Sequence, residues 1–310
     1  MISDLISVAR PGHWFKNIFM LPGIALAFVL SGATLTPELV ARVLTAIVST
    51  CAIASAYYTI NEWLDAEFDR FHPLKKDRPS AAGRLNARMI YSQWAILNAI
   101  GLGLALLLGP IYFAFAVALV LMSLAYNIRP IRTKDRMFLD VLSESVNNPL
   151  RFMLGWTAVA VTVIPPSSIL LAYWMGGAYL MAVKRFSEYR YIDDPERAGL
   201  YRRSFRYYTE ETLLLSAVFY AVSSAFFFGV FLIKYRVEFL LTMPGFALLF
   251  VWYLSIGMRR DSVAQRPEKL YHERRFMIYV VALGLFTAVL FFVDIPFLNF
   301  LVEPYTFNGN

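Results

Sequence analysis

The sequence predicts an all-α, polytopic membrane protein, and three observations carry that reading. Apolar runs recur along the whole chain at or near the roughly 20 residues that a bilayer-spanning helix needs. Charged residues are scarce, 16% against 58% hydrophobic, which is membrane composition. No stretch shows the period-two alternation of a half-buried strand.

The apolar runs read as nine transmembrane helices, at residues 14–30, 40–60, 89–108, 111–126, 139–164, 169–183, 213–233, 239–258 and 276–293. Residues 1–310 then form a single transmembrane domain. Gly109-Pro110 and Pro165-Pro166 punctuate short turns, as glycine and proline do at helix boundaries, and Pro244 is expected to kink the eighth span. Ahead of the first span, Ile2, Leu5, Ile6 and Ala9 recur with an amphipathic period that Arg10-Pro11 ends, so residues 1–12 read as a helix lying in the interface.

Lysines and arginines fix the expected orientation. They gather near Arg10 and Lys16 and in stretches 70–88, 129–136, 184–206 and 259–275, whereas the alternate loops hold Arg42, Lys234 and Arg236. By the positive-inside rule the first set faces the cytoplasm, which makes residues 61–88 and 184–212 cytoplasmic cap loops and leaves 294–310 on the far side. The expected location is the inner (plasma) membrane, with the active site open to the cytoplasm. A net charge of +7 distributed in this way points to the bilayer and not to nucleic acid. The lone Cys51 lies in an apolar run and can form no internal disulfide, and His13, His72 and His272 are too scattered for a zinc site.

The chemistry is concentrated after the second span. A helix continuing past Ile60 puts Asn61, Asp65 and Asp69 on one face, because residues four apart stack at 3.6 residues per turn. Aligned carboxylate and amide oxygens call for a counter-ion and suit Mg²⁺, which in turn holds phosphate; Lys75, Lys76 and Arg78 follow as further phosphate partners. The competing reading is an ion-pair network in which Lys75 or Arg78 neutralises the aspartates. A second polar stripe, Asp140, Glu144, Asn147, Asn148 and Arg151, crosses an otherwise apolar helix and must face the bundle interior, where Arg151 could instead pair with Asp140 or Glu144. Lys184, Arg185, Glu188 and Tyr191 form a third stripe, readable as a phosphate clamp or as snorkelling anchors. Tyr126 joins the candidates because Arg129, Arg132 and Lys134 follow it.

These stripes together resemble the UbiA superfamily of intramembrane prenyltransferases. Asn61-Glu62-x-x-Asp65-x-x-x-Asp69 is similar to that family's Asn-Asp-x-x-Asp-x-x-x-Asp with Glu62 in second place, and Asp140 to Glu144 to its Asp-x-x-x-Asp with a final glutamate. The branch most resembled is the decaprenyl-phosphate phosphoribosyltransferases, through Arg10-Pro11-x-x-Trp14-x-Lys16-Asn17, the His-Pro-x-Lys-x-x-Arg-Pro-x-x-x-Gly of residues 72–83, Lys184-Arg185 with Glu188, and the separation of Asp140 from Arg151. The glycine expected before Lys184 is Val183, and the Gly-Phe expected before Arg151 is absent.

The resemblance implies a nine-helix UbiA-type bundle and a Mg²⁺-dependent transfer of 5-phosphoribosyl from phosphoribosyl diphosphate to a polyprenyl phosphate in the bilayer. The alternative is transfer of a prenyl group from a prenyl diphosphate to an aromatic or other acceptor. Expected metal ligands are Asn61, Glu62, Asp65, Asp69, Asp140 and Glu144; expected substrate contacts are Lys16, Asn17, Lys75, Arg78, Tyr126, Arg151, Lys184 and Arg185. Asp65, Asp69, Asp140 and Lys184 are the residues on which catalysis should depend. A transporter built on the same stripes lacks support, since no inverted repeat is visible. Assembly into a homo-oligomer stays open.

Overall fold

The computed structural model describes residues 2–71, 75–235, 237–290 and 292–301. Among them every regular element is helical. Six helices are long and apolar enough to cross a membrane: Ile2–Ser31, Pro37–Asp69, Ala87–Leu108, Pro110–Asn127, Glu210–Tyr235 and Val237–Gly257. The spans expected over 139–164 and 276–293 are helical as far as Val159 and Leu290. Two compact units divide the chain, one made of Met1–Pro165 with Glu188–Leu213 and the other of Pro166–Ser187 with Leu214–Asn310.

The first unit opens with α1 (Ile2–Ala9). Its Leu5 and Val8 pack with Trp63, Leu85, Met89 and Ile90 while Ile2 and Ile6 stay exposed, so the expected interfacial helix has one face on protein. A 3₁₀ stretch, Pro11–Met20, leads into α2 (Leu21–Ser31). Helix α3 (Pro37–Asp69) starts with Pro37 in its first turn and with Thr36 accepting the Leu39 N–H at 3.2 Å. Its 33 residues reach about 50 Å, well beyond the ~30 Å of a bilayer core, so the turns that carry Asn61 to Asp69 lie past the length needed for crossing. The predicted cap loop over 61–88 is therefore helical as far as Asp69.

Helices α4 (Ala87–Leu108) and α5 (Pro110–Asn127) are joined at Gly109, whose φ of 111° suits glycine. Helix α4 lies against α3 at Gly101, where a Cβ would stand 2.5 Å from Ile53 and where Ser49 donates to the Gly101 carbonyl at 2.7 Å. The segment expected as one helix over 139–164 divides into α6 (Leu139–Ser145) and α7 (Asn147–Val159). Pro149 explains the break, having no N–H to give to the Ser145 carbonyl. Helix α7 crosses the Pro11–Met20 stretch and the start of α2 closely: a Cβ on Gly155 would be 2.2 Å from the Met20 oxygen, and one on Gly23 would be 2.1 Å from the Phe152 oxygen.

Helix α8 (Ser167–Ile192) begins in the second unit and ends in the first. It runs nine residues beyond the predicted end at 183, so Lys184 to Tyr191 are helical and not part of a loop. The first unit then closes with α9 (Pro195–Tyr201), capped by Asp194 Oδ1 on the N–H groups of Glu196 and Arg197, and a 3₁₀ turn, Arg203–Arg206. In the second unit are α10 (Glu210–Tyr235), which starts just before it, α11 (Met243–Gly257) and α12 (Arg274–Leu290). Backbone oxygens tie them: Ser224 donates to Ala172 at 2.9 Å, Ser187 to Gly257 at 2.7 Å and Tyr279 to Gly245 at 2.8 Å. Within the span Val237–Gly257, Pro244 lies where a 3₁₀ segment gives way to α11, in a first turn that requires no N–H of it.

One test of orientation follows from the loop after α3. Ser80 is buried there, while Ala82 is exposed. A cysteine at Ala82 is expected to react with an impermeant reagent from the cytoplasmic face; labelling from the opposite face alone would reverse the assignment.

Candidate active site

Each acid on the last turns of α3 meets a basic or hydroxyl partner. The Arg10 guanidinium lies 2.6 Å from Glu62 Oε2, and Arg78 Nη1 lies 2.6 Å from Asp69 Oδ2. Asp65 Oδ1 receives two cations, Lys134 Nζ at 2.5 Å and Arg132 Nη2 at 3.0 Å. The buried Asn127 holds this group in register. Its Oδ1 accepts from Asn61 Nδ2 at 2.7 Å and from Lys134 at 2.6 Å, and its backbone oxygen accepts from Arg132 at 3.1 Å. Burial drives the Lys134 ammonium down to about 8, with Asp65 opposing the fall. Of the two cations expected to neutralise the aspartates, Arg78 does so; Lys75 instead reaches Glu188, 3.6 Å away, and the Tyr201 hydroxyl.

The second stripe adjoins the first through Tyr57 of α3, whose hydroxyl donates to Glu144 Oε2 at 2.5 Å. Tyr57 faces the buried Tyr126 at 6.3 Å between ring centroids, and Lys134 stands 5.6 Å from the Tyr126 centroid. Asp140 is fully buried, accepting from Tyr208 at 2.8 Å and Ser204 at 3.1 Å, with Arg202 Nη1 at 3.8 Å. Arg151 does not pair with either acid. It donates to Asn17 Oδ1 at 3.0 Å and to the Asn147 carbonyl at 3.4 Å, while Asn17 Nδ2 reaches Cys51 Sγ at 3.1 Å. Lys16 lies over the Tyr58 ring, 5.5 Å from its centroid.

Lys184 and Arg185 belong to the second unit, on α8, with Arg185 buried. His72 and the other residues of 72–74 in the basic motif lie outside the described residues.

Sequence reasoning did not single out Arg202, Ser204, Tyr208, Asn127 or the role of Tyr57. The signal for the first three was the density of basic and aromatic residues over 201–208. Arg202 lies close enough to Asp65, Asp140 and Glu188 to feel all three carboxylates. Burial works against its charge, but Tyr126, Tyr201, Glu188 and Asp140 outweigh that and raise the guanidinium well above its usual range.

Among the described residues, no three His, Cys, Asp or Glu side chains converge closely enough to hold a metal ion as they stand. The donor chemistry nevertheless fits a hard divalent cation. Glu62 Oε1 is buried with no hydrogen-bond partner among the described residues, and Asp65 Oδ1 already draws two cationic side chains.

Two acidic stripes, interleaved with lysine and arginine, thus adjoin in a helical bundle whose spans are long and apolar enough to cross a membrane. The model of the UbiA prenyltransferase family matches residues 19–279, and the chain belongs to that family, whose members are transferases; it is a multi-pass integral membrane protein. A decaprenyl-phosphate phosphoribosyltransferase of Mycolicibacterium smegmatis is 31% identical over 215 residues, a match spanning 69% of this chain and 65% of that relative's length. The nodulation protein NoeC of Azorhizobium caulinodans is 28% identical over 282 residues, 90% of this chain and 79% of the relative. In three dimensions the chain is similar to a UbiA homologue from Archaeoglobus fulgidus bound to GPP and Mg²⁺, with a TM-score of 0.69 at 20% identity over 90% of this chain and 99% of that one.

Proposed function

We propose that the protein is a Mg²⁺-dependent phosphoribosyltransferase, passing the 5-phosphoribosyl group of phosphoribosyl diphosphate to a polyprenyl phosphate, with its site on the cytoplasmic side of the inner membrane. The observation that carries this reading is the density of cations among the acids: Arg10, Lys75, Arg78, Arg132, Lys134 and Arg202 each lie within 4 Å of a stripe or α8 carboxylate. A prenyl diphosphate brings about three negative charges. Phosphoribosyl diphosphate adds a 5-phosphate, and its acceptor is itself a phosphate, so roughly twice the anionic load must be neutralised. Arginine and lysine are the side chains for that load, arginine often through two hydrogen bonds at once.

Asn61, Glu62, Asp65, Asp69, Asp140 and Glu144 are the residues that would hold magnesium, directly or through water. Bound there, the metal supplies charge stabilisation on the departing diphosphate oxygens. The protein's own part is to bind and orient. The Arg10, Arg78, Arg132 and Lys134 side chains now on the stripe acids are the nearest donors for phosphate oxygens once those acids take up another cation. Lys16 and Arg151 extend the basic lining towards the N-terminal segment. No side-chain nucleophile is needed, since a lipid phosphate oxygen attacks C1 of the sugar. The M. smegmatis relative supports this reading by its name. Prenyl transfer from a prenyl diphosphate remains the second reading, supported by the GPP-bound structural neighbour.

Titration calorimetry on the detergent-solubilised protein decides between them. Phosphoribosyl diphosphate is expected to bind in the presence of Mg²⁺; tight binding of a prenyl diphosphate with none of the sugar donor would overturn the phosphoribosyl reading.

A further inference from the structure

We propose that Arg202 is a direct contact for the donor's diphosphate group, reaching it from between the two acidic stripes. The inference rests on reading the chain as a transferase that releases diphosphate, and it holds whether that diphosphate belongs to a phosphoribosyl or a prenyl donor.

Among the described residues, two of the Arg202 donors, Nε and Nη1, have no acceptor within bonding range. Arg10, Arg78, Arg132 and Lys134 each approach a carboxylate oxygen to 3.0 Å or less. Arg202 Nη1 stops 3.8 Å from Asp140 Oδ2, too far for a hydrogen bond. Its Nε and Nη1 are buried, and neither has a hydrogen-bond partner among the described residues. Nearby arginines are engaged: Arg203 lies 3.7 Å from Asp135, and Arg206 Nε donates to the Gly199 carbonyl at 3.3 Å.

A buried guanidinium donor without an acceptor is costly, and in native proteins such a group calls for an explanation, a ligand among them. The charge is held in place by ring faces, with its carbon 5.8 Å from the Phe205 centroid and 6.0 Å from that of Tyr201. Those rings fix the plane of the guanidinium, and its unpartnered Nε and Nη1 are donors available to phosphate oxygens. Its acidic surroundings make the site unfit for a lone anion, because Asp65, Asp140 and Glu188 all act on it. A diphosphate arriving with Mg²⁺ meets the need of both signs: the metal answers the carboxylates and the phosphate oxygens answer Arg202.

The test uses the full-length protein in detergent, with Arg202→Gln and Arg202→Lys variants. Calorimetry with inorganic diphosphate and Mg²⁺ reads the contact without requiring a particular donor, and a polyprenyl phosphate is titrated in parallel. The glutamine variant is expected to bind diphosphate about 10- to 100-fold more weakly, the lysine variant to recover part of the loss, and both to keep the native melting temperature and lipid affinity. Diphosphate binding by Arg202→Gln as tight as native would overturn the inference alone. A loss confined to the lipid phosphate would overturn it by assigning Arg202 to the acceptor, and melting temperatures that fall with affinity in both variants would assign it to holding the loop. Native protein that binds no diphosphate at all would overturn both this inference and the transferase reading beneath it.

Discussion

Replacing Asp65 with alanine is expected to abolish turnover and to lower stability by about 3 to 5 kcal/mol, the cost of leaving a buried charge without its counter-charge. The stability part comes from Lys134, whose side chain is only 4% exposed and whose ammonium stands 2.5 Å from Asp65. Arg132 is better protected, since Asp135 and the carbonyls of Leu64 and Asn127 also receive it. The two losses can be separated. Adding Lys134→Met removes the stranded cation, so the double variant regains much of the melting temperature in detergent while diphosphate release stays absent. Mg²⁺-dependent turnover persisting in Asp65→Ala would take the aspartate stripe out of the mechanism.

Gly155→Ala costs about 3 kcal/mol, at the upper end for an overpacked core, because the clash is with main chain. The new methyl would lie 2.2 Å from the Met20 oxygen, and no rotamer change can relieve that. The damage reaches the site. Arg151 lies four residues before Gly155 on the same face of α7, and Asn17 lies three before Met20 in a 3₁₀ segment, where residues three apart eclipse. The close approach at Gly155 is thus what lets Arg151 reach Asn17. Gly103→Ala is the control, since nothing lies within 4 Å of its added carbon and alanine suits a helix better. Thermal unfolding that is unchanged by Gly155→Ala would contradict the crossing.

Legibility in the sequence followed the range of the interaction. Asn61, Asp65 and Asp69 could be placed on one face because a helix repeats over four residues, and α3 does run to Asp69. The family motifs located both stripes, and the Tyr57 to Glu144 bond brings them side by side. Partner choice could not be read, being decided by which segments the fold brings together. Arg151 could have faced Asp140 or Glu144 on its own segment and turns instead to Asn17, 134 residues away. Asp140 depends on Ser204 and Tyr208 at separations of 64 and 68 residues, for which no local period exists. For a related reason the sequence does not show that a 3₁₀ turn precedes α11 and gives way to it just before Pro244.

Arg42 stands among the few basic residues outside the basic loops, and its bonds bear on how the chain is made. Near the start of α3, it donates to the Leu108 carbonyl at 3.0 Å and the Ala158 carbonyl at 3.3 Å, closing the C-terminal ends of α4 and α7. Those acceptors are synthesised 66 and 116 residues after it. During insertion Arg42 therefore gains its first carbonyl partner only when α4 is complete, and its second when α7 arrives. The order of translation is written into this corner: a ribosome stalled between Leu108 and Ala158 would leave the arginine clasp with its α4 carbonyl in place and its α7 end still open.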